Sequence, residues 1–369
     1  MRAVIAIDSF KGSMTSPEAG MAAAAGIRRV YPDWEITVLP VADGGEGTVD
    51  ALVTGLQGVK RTVTVQDPLG RPIPAQYGIL PDGTAVIEMA AAAGLPLLKQ
   101  EERDPLKTGT YGVGQLILDA IGMGCRSFIV GIGGSATNDG GMGMLKALGF
   151  GFYDNGGNAA SLQNVARICC DGAAKELAEC SFTVACDVNN PLCGPNGCSA
   201  VYGPQKGADP ATVQLMDGWL VRYGELVKSV RPNADPNAPG AGAAGGIGFA
   251  FAAFLNGRLM PGIDMVLEVV GLEQAVQTAD IVLTGEGRLD GQTVMGKVPV
   301  GVAAIAKRYG KKVVAFAGSV TPEAEVCNDH GIDAYFPILR RICTLEEAMD
   351  PENAKANMTA TVEQVIRLL

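Results

Sequence analysis

Residues 279–318, ADIVLTGEGRLDGQTVMGKVPVGVAAIAKRYGKKVVAFAG, contain the pattern that decides the fold. The apolar runs ADIVLTG and KKVVAFAG predict two buried strands, and PVGVAAIAKRYG between them predicts a helix that ends at Gly310. A strand, a helix and a second strand in this order are typical of a βαβ unit, whose two strands are parallel. The stretch therefore predicts an α/β fold built on a parallel sheet.

Both ends of the chain continue this rhythm. Near the N-terminus AVIAID and EITVLP predict strands, and the helix between them covers residues 17–30, with Ser16 as its cap and Pro17 in its first turn. A short helix over residues 48–56 follows. At the C-terminal end we expect a helix near residues 322–329, the strand AYFPI and a final helix to Leu369.

The middle of the chain has a different pattern. RTVTVQDPLGRPIPAQYGIL (61–80) predicts a hairpin around the turn DPLG, and CRSFIVGIGGSATNDGGMGMLKALG (125–149) predicts a strand, a glycine loop and a helix. Hairpins mixed with such units indicate α+β organisation. We therefore predict a doubly wound, Rossmann-like domain from residues 1–59 and 278–369, and a second, mixed α/β domain inserted at residues 60–277.

Composition restricts the possible functions. The formal net charge of −10 argues against nonspecific nucleic-acid binding, and no apolar run reaches membrane-spanning length. The N-terminus lacks a signal-peptide pattern and the nine cysteines form no C-x-x-C pair, so we expect reduced thiols and a cytoplasmic protein. His330 is the only histidine, which argues against zinc binding and against Ser-His-Asp or Cys-His catalysis. The oligomeric state stays open.

Three polar clusters follow predicted strands, which is where open parallel sheets bind their ligands. They are DSFKGS (8–13), ADGGEGT (42–48) and GEGRLDGQTVMGK (285–297). Glycine loops combined with carboxylates and cations suit phosphoryl transfer, which needs Mg²⁺ ligands, phosphate clamps and a base. The carboxylates are Asp8, Asp43, Glu46, Glu286 and Asp290, and the cations are Lys11, Arg288 and Lys297.

The third cluster nearly spells a P-loop, because Gly291 and Gly296 precede Lys297 at the spacing of that motif. Val298 stands where a P-loop requires a Mg²⁺-binding hydroxyl, so we do not expect a Walker loop. Pro299 opens a helix just beyond. A lysine at this helix N-terminus favours anion binding over a merely structural turn.

Two further glycine clusters have different interpretations. GIGGSA (131–136) follows a predicted strand and fits the G-x-G-x-x-A form of the dinucleotide fingerprint, and it is also similar to the Gly/Ser loop of galactokinase-like kinases. GAGAAGGIG (240–248) suits tight turns and close helix packing. The residues alone therefore leave open a kinase, a nicotinamide-dependent oxidoreductase, or a noncatalytic protein that binds an organic acid.

Seven motifs together and in order resemble those of the bacterial type I glycerate kinases, over essentially the whole chain. They are AIDSFKGS, ADGGEGT, DPLGRP, GIGGSATNDGGMG, CDVNNPLCG, GPQKGA and TGEGRLDGQTVMGK. The resemblance implies ATP-dependent phosphorylation of D-glycerate at its 2-hydroxyl, and phosphoryl transfer from ATP needs Mg²⁺. It also implies a Rossmann-like domain with an inserted α/β domain and an active site in the cleft.

Physical chemistry gives the candidate residues their roles. Arg288 can bind both oxygens of the glycerate carboxylate, or it can form a structural pair with Asp290 or Glu286. Lys11 and Lys297 neutralise phosphate charge. Asp187 acts as base or Mg²⁺ ligand, and Asn189 and Asn190 lie beside it in CDVNNPLCG.

These assignments define four predicted sets. The catalytic residues are Asp187, Lys297, Lys11 and Arg288. The substrate-binding residues are Asp8, Ser9, Asp43, Glu46, Arg288 and Asp290. The ATP-binding residues are Gly133, Gly134, Ser135, Thr137, Asn138, Gly285 and Lys297. The Mg²⁺ ligands are Asp187 and Asp43.

Overall fold

The computed structural model describes residues 1–42, 47–153 and 157–368. They form two compact units, one of Met1–Leu56 with Ile263–Leu369 and one of Gln57–Gly262. Our sequence boundaries lay at residues 59/60 and 277/278. Residues 263–277 thus join the first unit rather than the insertion, because the helix Leu272–Gln277 packs against the N-terminal strand.

The described residues form thirteen strands and fourteen α-helices. The strands are β1 (Arg2–Ile7), β2 (Glu35–Val38), β3 (Val59–Gln66), β4 (Pro72–Ile79), β5 (Ala85–Glu88), β6 (Ser127–Gly131), β7 (Gly151–Phe152), β8 (Ile168–Cys169), β9 (Ser181–Ala185), β10 (Arg258–Met260), β11 (Ile281–Leu289), β12 (Lys312–Val320) and β13 (Ala334–Pro337). The helices are α1 (Ser16–Val30), α2 (Thr48–Gly55), α3 (Ala90–Ala93), α4 (Tyr111–Gly122), α5 (Met142–Ala147), α6 (Cys198–Tyr202), α7 (Pro210–Val230), α8 (Ala243–Leu255), α9 (Gly262–Val269), α10 (Leu272–Gln277), α11 (Val298–Arg308), α12 (Val326–Asp329), α13 (Leu345–Met349) and α14 (Pro351–Ile366). None of these helices is long and apolar enough to cross a membrane.

The first unit contains a five-stranded sheet in the order β13-β12-β11-β1-β2, and every neighbouring pair is parallel. Alternate residues of β1, β11 and β12, such as Ile5, Leu283 and Phe316, form one buried cluster with α1 and α14. Helix α11 packs on β11 and β12 with residues outside that cluster. Helices on both faces of a parallel sheet confirm the predicted α/β class.

The second unit contains a mixed six-stranded sheet in the order β10-β9-β6-β5-β4-β3. β3 and β4 form the predicted antiparallel hairpin, β4 and β5 are also antiparallel, and the remaining pairs are parallel. The rings of Phe128 and Phe182 stack between neighbouring strands with their centroids 4.8 Å apart. The hairpin confirms the interpretation of DPLG as a turn.

The beginning of α1 differs from the prediction in one residue. Thr15 is the cap, because its hydroxyl accepts the Glu18 amide at 3.4 Å and the Glu18 carboxylate accepts the Thr15 amide at 2.9 Å. Ser16 is buried, where its hydroxyl donates to the Ile7 carbonyl and accepts from the Val41 amide. Ser16 therefore ties the end of β1 to the segment after β2.

Three element boundaries also differ. The predicted helix near residues 322–329 is a 3₁₀ turn, Pro322–Glu325, followed by the short α12. Helix α14 ends at Ile366, and Leu369 lies outside the described residues. The largest difference is β11, which continues through Glu286 and Arg288 to Leu289 instead of ending at Gly285. The four residues 286–289, which we expected in a loop, thus belong to the sheet.

Candidate active site

A cavity of about 390 Å³ lies at the carboxyl edge of the parallel sheet in the first unit. Its polar lining comes from four places in the sequence: the residues after β1, the end of β11, the start of α11 and the end of β12. The polar lining residues are Asp8, Ser9, Lys11, Ser13, Glu286, Arg288, Lys297 and Ser319. Five predicted site residues, Asp8, Ser9, Lys11, Arg288 and Lys297, thus share one cavity, as expected where parallel strands end together.

Glu286 is the most buried carboxylate of this cavity, with 6 % of its surface exposed. The Thr293 hydroxyl donates to Oε1 at 2.6 Å, and the Lys297 ammonium lies 3.5 Å from Oε2. Burial is the main cause that raises the pKa of Glu286, while Thr293 and Lys297 oppose it. A buried carboxylate with a raised pKa and an adjacent lysine is suited to accept a proton.

Glu286 is one of the carboxylates of the third polar cluster, but it belongs to none of the four predicted sets. We predicted that β11 ends at Gly285, which would place Glu286 in a glycine loop. A residue in such a loop has no defined orientation, so no role could be assigned to it. Because the strand continues to Leu289, its pairing with β12 fixes the orientation of its side chains. Leu283, Glu286 and Leu289 are buried, and Arg288 is exposed. Leu283 before GEG and Leu289 after it, each separated from it by one polar residue, were the signal that could have extended the strand.

Lys297 occupies the N-cap position of α11, and Pro299 lies in the first turn. Its Nζ lies 3.5 Å from Glu286 Oε2 and 3.8 Å from Asp290 Oδ1, and its side chain is 34 % exposed. The free backbone amides of this helix start add a positive partial charge. Val298, which stands where a P-loop has its metal-binding hydroxyl, has a hydrocarbon side chain that is fully buried.

Arg288 also lines the cavity, and its Nε lies 3.3 Å from Asp290 Oδ2. The structural pair that we considered from sequence is therefore present. Because the Arg288 side chain is 63 % exposed, this ion pair contributes little to stability and can exchange for a ligand carboxylate. Asp290 Oδ1 accepts the Gln292 amide at 2.9 Å, so Asp290 shapes the turn beside the cavity rather than lining it.

The residues after β1 have defined backbone partners. The Asp8 amide donates to the Gly285 carbonyl at 2.9 Å, and the Asp8 carboxylate accepts the Ser9 amide at 2.6 Å. Gly285, which we predicted to bind ATP, is buried inside the sheet, where a Cβ would lie 2.1 Å from the Phe316 carbonyl oxygen. Gly285 is thus required by strand packing. Lys11 is exposed at the rim.

Two predicted residues, Asp43 and Glu46, lie outside the described residues. A second cavity of about 320 Å³ shares Asp8, Ser9 and Lys11 with the first and extends to Asp50 in α2. The polar edge of the sheet therefore serves two neighbouring cavities in the same unit.

In the second unit, Asp187 follows β9 and is exposed. Its Oδ1 accepts the Gly262 amide at 2.8 Å, which holds the carboxylate against the segment after β10. Asn190 is committed to structure, since its amide donates to the Asn196 carbonyl and accepts the Tyr202 hydroxyl. Asn189 is exposed.

The glycine loop after β6 has its polar side chains inside the protein. Ser135 is 7 % exposed and Thr137 and Asn138 are fully buried, whereas Gly133 and Gly134 are exposed. The Asn138 amide donates to the Ser199 hydroxyl at 2.9 Å. Side-chain contacts from Thr137 and Asn138 to a phosphate, as we predicted, are thus not available, and the backbone at Gly133 and Gly134 is what the loop presents.

The packing around this loop explains its burial. Lys206, from the motif GPQKGA, is 1 % exposed and donates to the Thr137 carbonyl at 2.7 Å. Gly245 adjoins the same carbonyl, where a Cβ would lie 2.0 Å from the oxygen. GAGAAGGIG therefore serves close packing, as the sequence indicated. Nothing in the sequence marked Lys206 as buried, because lysine is ordinarily exposed.

Within residues 1–42, 47–153 and 157–368, no three His, Cys, Asp or Glu side chains are grouped so as to hold a metal ion. A Mg²⁺ site in a phosphoryl-transfer enzyme needs only one or two carboxylates, since substrate phosphates and water complete the shell. Asp8 and Glu286 in the cavity are hard oxygen donors of that kind.

A parallel α/β sheet that gathers carboxylates, cations and a helix N-terminus in one cavity is typical of an enzyme that acts on small anions. The model of the glycerate kinase family matches residues 3–369. The chain belongs to the glycerate kinase family, and it is a kinase.

Individual proteins agree with this assignment. The chain is 47 % identical over 354 residues to a glycerate 2-kinase of Escherichia coli K12, covering 94 % of this chain and 93 % of that protein. It is 45 % identical over 375 residues to a glycerate kinase of Haemophilus influenzae, covering 100 % and 99 %. A crystal structure from Salmonella typhimurium LT2, described as a candidate glycerate kinase 2, has a TM-score of 0.90 at 45 % identity and covers 100 % of this chain and 98 % of that one.

Proposed function

We propose that this kinase transfers the γ-phosphoryl group of ATP to the 2-hydroxyl of D-glycerate, with Mg²⁺, and releases 2-phosphoglycerate. The observation that carries the proposal is the cavity at the carboxyl edge of the first unit's sheet, where Glu286 lies 3.5 Å from Lys297 and Arg288 lines the same space. The names of the relatives support the substrate, and one of them specifies position 2.

Arg288 is the residue we assign to the glycerate carboxylate. Its guanidinium can donate to both carboxylate oxygens, and its exposed pair with Asp290 is easily exchanged. Glycerol has a neutral hydroxymethyl group in place of the carboxylate. If glycerol displaced Asp290 from Arg288, the guanidinium would lose one partner and gain no carboxylate in return, which costs free energy. The site should therefore discriminate against glycerol.

Lys297 and Lys11 are the residues we assign to the transferred phosphoryl group. Lys297 stands at a helix N-terminus, so its charge and the free amides of α11 act on the same anion. Phosphoryl transfer depends on such charge stabilisation, because the protein makes and breaks no covalent bond of its own.

Glu286 is our first choice for the group that accepts the proton of the attacking hydroxyl. It lies in the cavity with Lys11, Arg288 and Lys297, and burial raises its pKa, which makes the carboxylate a stronger base. Asp187, the base predicted from sequence, is the second choice. The variants Glu286→Gln and Asp187→Asn distinguish between these two candidate bases.

Mg²⁺ would be held by Asp8 together with oxygen atoms of the nucleotide, and Asp187 is the second candidate ligand. When bound, the ion neutralises charge that develops on the phosphoryl oxygens. We place the reaction in the cytoplasm, where the nine free cysteines would stay reduced.

The test is ADP release from purified protein with Mg-ATP and D-glycerate, with L-glycerate and glycerol as parallel substrates. We expect turnover with D-glycerate, dependence on Mg²⁺ and little activity with glycerol. Phosphorus NMR of the product distinguishes the 2-phospho from the 3-phospho isomer. Equal turnover of glycerol would remove the role of Arg288, and a 3-phospho signal would overturn the regiochemistry.

A further inference from the structure

The cavity that holds the polar site also has an apolar wall. It is formed by the segment that follows β13 and by α13 and α14, and its members are Ile338, Leu339, Leu345, Ala348, Met349 and Ala354. A three-carbon acid is too small and too polar to cover such an apolar surface. The volume of about 390 Å³ lies in the range of pockets that bind drug-sized ligands rather than three-carbon acids.

The outer part of the apolar wall is accessible to solvent, whereas Ile338 and Ala354 are each 2 % exposed and form its base. Leu345 is 79 % exposed, Met349 37 % and Leu339 36 %. Apolar side chains grouped at the wall of a cavity gain free energy when a ligand with an apolar face covers them. Methionine in particular adapts its shape to flat rings.

The polar part of the same cavity defines what else that ligand carries. Lys11, Arg288 and Lys297 supply positive charge, and α11 presents its N-terminus. A ligand complementary to the whole cavity therefore has a planar, weakly polar part joined to a strongly anionic part. Among the reactants of the proposed kinase, only the nucleotide has this composition.

We propose that the apolar wall formed by Ile338, Leu339, Leu345 and Met349 binds the purine base of ATP, with the triphosphate directed to Lys297 and Lys11. This inference rests on the proposed function and replaces the glycine loop of the second unit as the primary nucleotide site. That loop presents only backbone at Gly133 and Gly134, since the side chains of Thr137 and Asn138 are buried.

The experiment compares Leu345→Asn with Ile342→Asn. Ile342 is fully exposed in the same segment and does not line the cavity, so it is a matched control. Dissociation constants for ATP and for inorganic triphosphate are measured by calorimetry without glycerate, because triphosphate lacks the base. We expect Leu345→Asn to weaken ATP roughly tenfold, the order expected for loss of one apolar contact surface, and to leave triphosphate unchanged. Ile342→Asn should bind both like the unmodified protein.

The outcomes separate the inference from the proposed function. If D-glycerate is phosphorylated while Leu345→Asn binds ATP normally, the purine site is wrong and the function stands. A Gly133→Leu variant, whose side chain has open space, then tests the glycine loop, and loss of ATP binding there would place the nucleotide on the second unit. A rise in the KM for glycerate alone in Leu345→Asn would also overturn the inference. If ATP binding weakens as expected but glycerate is not phosphorylated, the purine site stands and the acceptor is wrong.

Discussion

Replacing Lys206 by methionine should change how the stability of the protein depends on pH. The Lys206 side chain is 1 % exposed, and its ammonium donates to the Thr137 carbonyl at 2.7 Å. Burial lowers the pKa of Lys206 to about 8, and the nearby Cys198 and Asp139 oppose this shift without cancelling it. The protein thus keeps an ammonium in its interior below pH 8 at a cost in free energy.

The sign and size of this pH dependence follow from the linkage between folding and proton binding. In the unfolded chain the lysine holds its proton up to its ordinary pKa of 10.5, whereas in the folded chain it releases it near 8. Between these values the unfolded state binds more protons, so stability rises with pH, and the full cost applies below pH 8. A shift of that size corresponds to roughly 3 kcal/mol at ~1.4 kcal/mol per pH unit, of which about 2 kcal/mol is recovered by pH 9.5.

The assay is urea unfolding of the unmodified protein and Lys206→Met at intervals from pH 7 to pH 9.5. The difference in unfolding free energy, unmodified minus variant, should grow by about 2 kcal/mol in favour of the unmodified protein across this range. Burial raises the pKa of Cys198 to about 12, and its effect above pH 9 occurs in both proteins and cancels in the difference. A difference that stays constant with pH would refute a strongly lowered pKa for Lys206.

Three further predictions concern the cavity of the first unit, and the last of them compares its Glu286 with Asp187 of the second unit. Lys297→Ala should lower kcat roughly a hundredfold in initial-rate assays, the scale of one lost electrostatic stabiliser, with a modest loss of stability because Glu286 loses its partner; normal kcat and KM would make this loop merely structural. Val298→Thr should not tighten Mg²⁺ binding in a titration, since residue 298 is buried; tighter binding would revive the Walker interpretation. Glu286→Gln should be nearly inactive and still bind ATP, whereas Asp187→Asn should mainly alter the Mg²⁺ dependence; the reverse result would make Asp187 the base.

The fold was largely predictable because its pattern is local. Buried parallel strands are continuous apolar runs, and ADIVLTG, KKVVAFAG and AVIAID are of this kind. The end of β11 was not predictable by the same rule, since GEG interrupts the apolar run. Gly285 is tolerated there because it fits against the Phe316 carbonyl, a contact between strands that are separated in sequence. Because this contact lets β11 continue past Gly285, it also determines where the Glu286 side chain lies.

The predicted site divides in the same way. Residues directly after strands, such as Asp8 and Lys11, could be placed at a common edge from the order of elements alone. The burial of Thr137 and Asn138 could not be predicted in this way, because it depends on packing against Lys206 and Gly245, which come from distant segments. The residues Leu345 and Met349 were also missed, since a short apolar stretch near the C-terminus resembles ordinary core.

The electrostatics of the cavity explain how a chain of net charge −10 can attract an anion. Lys297 is held by Glu286 and Asp290, and Arg288 is held by Asp290, so both cations are oriented by existing partners. Side chains already restrained lose less conformational entropy when a ligand replaces the partner. As a ligand anion draws Lys297 away, Glu286 loses the neighbour that opposes the rise of its pKa. Phosphate binding and proton acceptance are therefore coupled through one lysine, and Lys297→Ala should raise the apparent pKa of the acidic limb of kcat/KM as well as lower kcat.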